Sequence, residues 1–358
     1  MTKKFILTIS GIIVAVIAIV LTIVLICIGS RDYTTTEDGV LAKPNDVNRL
    51  YEFIEKDKYD SLILDLSSME CASDESIKIS DLSYRKRLEI DGKGMCFDNM
   101  QINTNASEIV IKNIVVNSTD TILLVNHSSA KIELESCYLK STNSPAIQIK
   151  AQNCDVNITG YCEIKAGTSA NAFEANNITL GGSGQVLIVG GDANSYGGNG
   201  GHGLVAKRVS FVETLEVDII GGNGYEGATG YDGANGRDAE FLGNKSSSGN
   251  SGGAGYKGGN GGDALVCTTV QFDSLTKVTL QGGNSGNGGR GGRGGDGGKP
   301  IVWGVTTSGG SGGAGGAPGQ VGRAINIELA DIPENVKCID GIEGNYGQRG
   351  ADGRGKSA

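Results

Sequence analysis

Glycine returns at every third position in three separate runs: Gly224 to Gly236, Gly283 to Gly298 and Gly341 to Gly353. This period limits what the stretches can fold into. A chain with three residues per turn and no internal hydrogen bonds has polyproline II geometry. Its backbone N–H and C=O groups point outward and need partners. Neighbouring chains of the same kind can supply them if the facing residues lack side chains, and glycine at every third residue provides that bare face. Collagen also uses this period, but it needs a strict Gly-X-Y register with abundant proline, and this chain has only 5 prolines. Of its 59 glycines, 52 follow residue 180. At that density glycine destabilises helix and strand interiors, which argues against an ordinary α/β enzyme domain.

Short segments of alternating apolar and polar residues fill the chain from about residue 88 onward, and each reads as a half-buried strand. Examples are Leu88 to Ile90, Ile109 to Ile111, Ile132 to Leu134, Val156 to Ile158 and Ile178 to Leu180. They recur in register. One column aligns Leu123, Ile147, Phe173, Leu204, Leu265 and Ile325. A second aligns Cys137, Cys162, Val186, Val217 and Val278, ending near Cys338. From Phe173 to Val186, from Leu204 to Val217 and from Leu265 to Val278 the separation is always 13 residues. The unit therefore keeps a constant core while one loop grows. The growing loop is the glycine-rich one, at 190–203, 221–263, 282–322 and 341–355, so stacked units should release these inserts side by side on one edge.

This pattern resembles the right-handed parallel β-helix of pectin-lyase-like proteins. The resemblance covers about residues 85–340 and implies an all-β solenoid whose rungs bury inward ladders of Ile, Leu and Val. The inserts look like a polyglycine II bundle, similar to glycine-rich antifreeze proteins and phage adhesin tips. Flexible Gly/Ser/Asn loops are the other reading of the same composition.

Residues 5–28 contain no charge and are long enough to cross a bilayer as a helix. Lys3 and Lys4 precede them, so residues 1–4 are expected in the cytoplasm and the bulk of the chain outside, as a single-pass cell-membrane protein. A cleaved signal peptide leading to secretion is the alternative. Residues 29–44 read as a stalk. Residues 45–87 read as an N-terminal cap: a helix capped by Asn45 or Asp46, with Val47, Leu50, Tyr51 and Ile54 on one face, followed by a first strand from Ser61. The β-helix is expected over 88–340 and a glycine-rich tail over 341–358. Sequons at Asn105, Asn117, Asn126, Asn157, Asn177 and Asn244 would mark a glycoprotein in a eukaryotic secretory pathway. Stacked Cys137 and Cys162 could form a disulfide, or fill the core as small apolar side chains.

The chemistry legible in the sequence is sparse. The net charge of −9 and the absence of long basic tracts exclude nucleic acid as a partner. Gly258 to Val266 matches a calcium-binding nonapeptide, but such repeats share ions between tandem copies, and the related copy has His202 in place of Asp263. Asn103-Thr104-Asn105 lacks the aspartate of the related motif in pectin-degrading hydrolases, and the two histidines, His127 and His202, fall in different units. The sequence therefore nominates no catalytic, cofactor-binding or metal-binding residue and no cofactor. The expected function is a non-enzymatic binding, adhesion or structural module at the cell surface, contacting glycans. A β-helix polysaccharide lyase or hydrolase is the alternative, to be recognised by a groove of clustered Asp/Glu and Arg/Lys on one sheet face. Ice binding is a third reading, weakened by the charges at Arg290, Arg293 and Asp296.

Overall fold

The structure is a computed structural model that describes residues 33–36, 39–55, 59–69, 76–81, 85–240, 245–302, 305–328 and 332–358. Within them the protein is built mostly of strands, with one α-helix and extensive parallel pairing.

The strands fall into three columns. One holds Leu88, Ile109, Ile132, Val156, Leu180 and Phe211, each in or beside a parallel strand of the next unit. The second runs from Ile114 through Cys137, and from Cys162 through Val186, Val217 and Val278 to Val336. The third runs Ile102, Leu123, Ile147, Phe173, Leu204, Leu265, with a last bridge to Ile325. The chain visits the columns in the same order each time, for example at 108–112, 114–118 and 123–125, then at 129–135, 137–141 and 147–149. The second column ends on Val336 rather than Cys338, because Cys338 pairs with Leu280.

The first and second columns meet at a corner made by one residue in the left-handed region: Lys93 (φ 51°), Asn113 (51°), Ser136 (52°) and Gly160 (65°). The corner has a reason in the side chains. Ile109 and Ile111 are buried, and so are Ile114 and Val116, which breaks the period of two by one residue. A left-handed residue at Asn113 turns the chain so that both halves keep their apolar side chains inside. The core is the stack thus enclosed: Leu134, Ile147, Phe173, Leu180, Leu204 and Leu265 are all fully buried. Burying each such side chain is worth roughly 1.5–3 kcal/mol.

The N-terminal part differs from expectation in two ways. The segment read as a stalk contains paired strands, Tyr33–Thr36 antiparallel to Gly39–Ala42, and the latter runs parallel to Ser61–Asp65. Its buried Val40 and Ala42 explain why it joins the sheet. The expected single-pass localisation is also corrected, since among the described residues no helix is long and apolar enough to cross a membrane. A spanning helix needs about 20 apolar residues, and the described helix has 9. The stretch 5–28 on which that expectation rested lies outside the described residues.

The described helix, α1 (Val47–Glu55), matches the expected one. Asp46 Oδ1 accepts the Arg49 N–H at 2.8 Å, the capping bond that Asp supplies well. Val47, Leu50, Phe53 and Ile54 face the core, while Tyr51 is half-buried and its hydroxyl accepts the Lys78 N–H at 3.0 Å. The helix is tied down by Arg85. This guanidinium is buried, pairs with buried Asp81 at 2.8 Å, and donates to the carbonyls of Ile54 and Tyr59 at 3.2 and 2.8 Å. Replacing Arg85 by Met takes the cation from a buried carboxylate and leaves two carbonyls without that donor. Arg85→Met should cost about 3–5 kcal/mol in urea denaturation. A loss below about 1 kcal/mol would mean that the helix is held by its apolar face alone.

Candidate functional site

Two surfaces carry enough organised chemistry to be considered. The first is the outward face of the first strand column. Arg87, Glu108, Lys131 and Asp155 follow one another across neighbouring strands, with Glu89 and Glu133 beside them. Arg87, Glu108, Lys131, Glu133 and Asp155, together with Glu213 from a later turn, line an open groove of about 610 Å³. Opposite charges alternate along the strands and pair: Arg87 to Glu89 at 2.8 Å, Lys112 to Glu89 at 2.5 Å and Lys93 to Asp91 at 2.7 Å. Burial pushes the Glu89 carboxyl up, but the hydrogen bonds from Lys112 and Arg87 outweigh it and hold the group below its ordinary value. Asp91 is held low in the same way by Lys93 and Asn113. Each carboxyl on this face whose pKa departs from its ordinary value departs downward, the wrong direction for a general acid at neutral pH.

The second surface is built by the glycine inserts. Five limbs lie side by side: 221–239 and its return 247–264, 282–299 and its return 308–323, and the tail 340–355. Gly224, Gly227, Gly230, Gly233 and Gly236 donate to the carbonyls of Asn284, Asn287, Arg290, Arg293 and Asp296 at 2.7–2.8 Å. Gly286, Gly289, Gly292 and Gly295 donate to Gly259, Tyr256, Gly253 and Asn250 of the antiparallel return limb at 2.8 Å. Gly347, Gly350 and Gly353 of the tail donate to Gly316, Gly313 and Gly310. The inserts are thus joined in layers, and the inner limbs 247–264 and 282–299 use one donor in three towards a parallel neighbour and one in three towards an antiparallel one.

Glycine is required by the closeness of this packing. A methyl group on Gly286, Gly289, Gly292 or Gly295 would sit 1.9–2.0 Å from the carbonyl oxygen of Tyr225, Ala228, Tyr231 or Ala234. No side chain fits there without separating the limbs.

Several of the remaining donors are met by side chains, which explains the Asn and Asp between the glycines. Asn223 Oδ1 accepts the Asn284 N–H, Asp232 the Arg293 N–H, Asn235 the Asp296 N–H and Asp238 the Lys299 N–H, at 2.6–2.8 Å. The ladders continue upward: Asn284, Asn287 and Asp296 accept from Ile342, Asn345 and Arg354 of the tail. The Gly-x-Asx triplets at 221–223, 230–232, 233–235 and 236–238 carry this signal in the sequence, where the period of glycine alone does not reveal it.

The sequence candidates find places in these ladders rather than in a common site. His202 and Asp263 occupy equivalent rungs: His202 Nδ1 accepts the Asp263 N–H at 2.9 Å, and Asp263 Oδ1 accepts the Arg323 N–H at 2.7 Å. The nonapeptide aspartate is thereby engaged by backbone, and histidine can replace it as an acceptor. His127 lies elsewhere, its Nδ1 accepting the Ser129 N–H at 3.2 Å. Among the sequons, Asn126 donates to Asn103 Oδ1 at 2.6 Å and Asn177 to Asn153 Oδ1 at 3.0 Å; Asn244 is outside the described residues. Cys137 and Cys162 are free thiols and both are buried. The Cys137 thiol is pushed up by its hydrogen bond to Cys162 and by burial, the same bond draws the Cys162 thiol down, and burial raises Cys154 to about 12.

No protein-family model, no curated protein and no solved structure matches the chain.

Two outcomes follow from this geometry. Gly289→Ala should destabilise the inserts by at least about 1–3 kcal/mol, as overpacking does. Asn287→Ala, which removes one acceptor, should cost about 0.5–1.5 kcal/mol. Thermal denaturation of the two variants checks the order, and equal melting temperatures would contradict it. The second outcome concerns pH. A carboxyl held low favours the folded chain above its unfolded pKa of about 4, and that contribution is lost as pH falls through the lower folded value. Glu89→Gln should therefore lower the melting temperature at pH 7, with the difference closing by about pH 2; a difference independent of pH would contradict the pairing.

Proposed function

We propose that the chain is a right-handed parallel β-helix carrying a polyglycine II-like bundle on one edge, and that it acts as a non-enzymatic binding or structural module whose contacts are made to glycans. The repeated order of first, second and third columns, each of in-register parallel strands, supports the solenoid reading. The observation that carries the functional reading is the layering of the inserts. Long glycine-rich loops would pay a large ordering entropy on binding. Limbs already joined by backbone hydrogen bonds at every third residue present their side chains from a fixed frame instead.

The charged groove favours a second reading, a carbohydrate-active enzyme using Glu108, Glu133, Asp155 or Glu213. It is the weaker of the two, because the neighbouring Glu89 and Asp91 are committed to ion pairs. A glycan-array screen of the intact chain, run beside polysaccharide turnover assays, separates the readings. Binding without turnover is the expected result. Turnover abolished by Glu133→Gln would replace this reading with the enzymatic one.

A further inference from the structure

The first insert, 190–203, is much shorter than the two that follow. It covers the limb 221–239 only at its base, where Ala193 and Gly197 donate to the carbonyls of Asn223 and Glu226 at 2.9 and 2.8 Å. Beyond this point no described residue covers the outer face of the first long layer, which forms a step. Its riser is the tip of the short insert with Tyr196, and its tread is the limb 221–239 with its return 247–264.

The tread departs from the glycine rule. Tyr225, Ala228, Tyr231, Ala234 and Arg237 stand where the next layer has Gly286, Gly289, Gly292, Gly295 and Gly298, and Tyr256 stands where its return limb has Gly316. At the bundle's own spacing a methyl at these positions would strike a carbonyl oxygen, so no further glycine layer, from this chain or a second copy, can stack on the tread. What the tread offers instead is aromatic surface. Tyr196, Tyr225, Tyr231 and Tyr256 are 65, 38, 76 and 50% exposed. They stand in two edge-to-face pairs, Tyr196 with Tyr225 at 5.7 Å and Tyr231 with Tyr256 at 6.4 Å. Along the limb Tyr225 and Tyr231 are about 19 Å apart, at ~3.1 Å per residue. Between and beyond them Thr229, Asp232, Asn235 and Asp238 make no backbone hydrogen bond through N–H or C=O to the described chain, whereas the equivalent groups of Arg293 and Asp296 one layer up are engaged.

We infer that this tread is a binding site for an extended neutral polysaccharide. Tyrosine faces stack on the C–H faces of sugar rings, and they do so at little conformational cost because the side chain has only two rotatable bonds. The row of open N–H and C=O groups meets hydroxyls, which donate and accept in equal measure. Charge selects among glycans: the two limbs of the tread carry Glu226, Asp232, Asp238 and Asp263 against Arg237 and Lys257, and the chain carries −9 overall, so polyanionic chains are repelled. The inference rests on the glycan-binding reading and gives it a location.

The test is affinity electrophoresis of the intact chain through gels containing xyloglucan, mixed-linkage β-glucan or galactomannan, with polygalacturonate as the charged arm. Wild-type protein should be retarded by at least one neutral polymer and not by polygalacturonate, and that polymer should perturb the tyrosine absorbance. Tyr231→Ala with Tyr256→Ala should weaken binding at least tenfold while preserving the circular dichroism spectrum. Tyr346→Ala, an exposed tyrosine of the tail, should leave it within twofold. Full affinity in the double variant would overturn the tread as the site while leaving glycan binding intact. Retardation by polygalacturonate alone would overturn the neutral ligand. No retardation of the wild type in any gel would overturn both this inference and the reading it rests on.

Discussion

The approach of one glycine limb to another, with a bare Cα resting against a carbonyl oxygen, is the contact on which the back half of the molecule depends. At Gly289 that oxygen belongs to Ala228 and lies 1.9 Å from where a methyl would be. Closeness of this order brings the backbones within hydrogen-bonding reach on more than one side at once. Gly289 donates to Tyr256 and accepts from Gly316, while its neighbour Gly288 donates to Asn345. Polyproline II chains make no hydrogen bonds of their own, so every bond that orders these limbs comes from a neighbour. Order is therefore a property of the layers together.

The strand columns set where those layers begin. The inserts 190–203, 221–263 and 282–322 leave after the second column and return at the third, and the parallel registers of Val186, Val217 and Val278 and of Leu204 and Leu265 hold the starting points in line. The limbs then inherit the spacing of the sheet. The offset of 61 residues between Leu204 and Leu265 is also the offset between Asn223 and Asn284 in their ladder. Apolar packing in the columns and backbone pairing in the inserts are thus parts of one register. The limits of the bundle are set by side chains: tyrosine and arginine at glycine positions on the first face, and Pro318, which has no N–H to donate, in the last return limb.

Much of the strand architecture was legible because apolar side chains at fixed separations leave a direct trace. The 13 residues from Phe173 to Val186 locate two columns, and both are seen in register. The corners were not legible, since one left-handed residue such as Ser136 has no distinctive identity and shows itself only as a skip between Leu134 and Cys137. The joining of residues 33–42 to the sheet was missed because four consecutive polar or aromatic residues, Tyr33 to Thr36, read as exposed linker. Composition left the glycine inserts undecided between layers and loose loops. The Asx positions resolve that question physically, because Asn223 and Asp232 each meet a donor that a loose loop would leave to water. The tyrosine tread was invisible for a different reason: it arises from a difference in length between consecutive inserts, which matters only once they are stacked.

Hydrogen exchange of the glycine limbs, read residue by residue, tests the layered account most directly. Amides in 282–299, bonded on two sides and through the Asx ladder, should be protected at nearly every position. In 221–239 beyond the short insert, Gly227, Gly230, Gly233 and Gly236 should be protected, while Thr229, Asp232, Asn235 and Asp238 exchange freely. Exchange throughout both limbs at the rate of an unstructured peptide would contradict the layers and everything built on them.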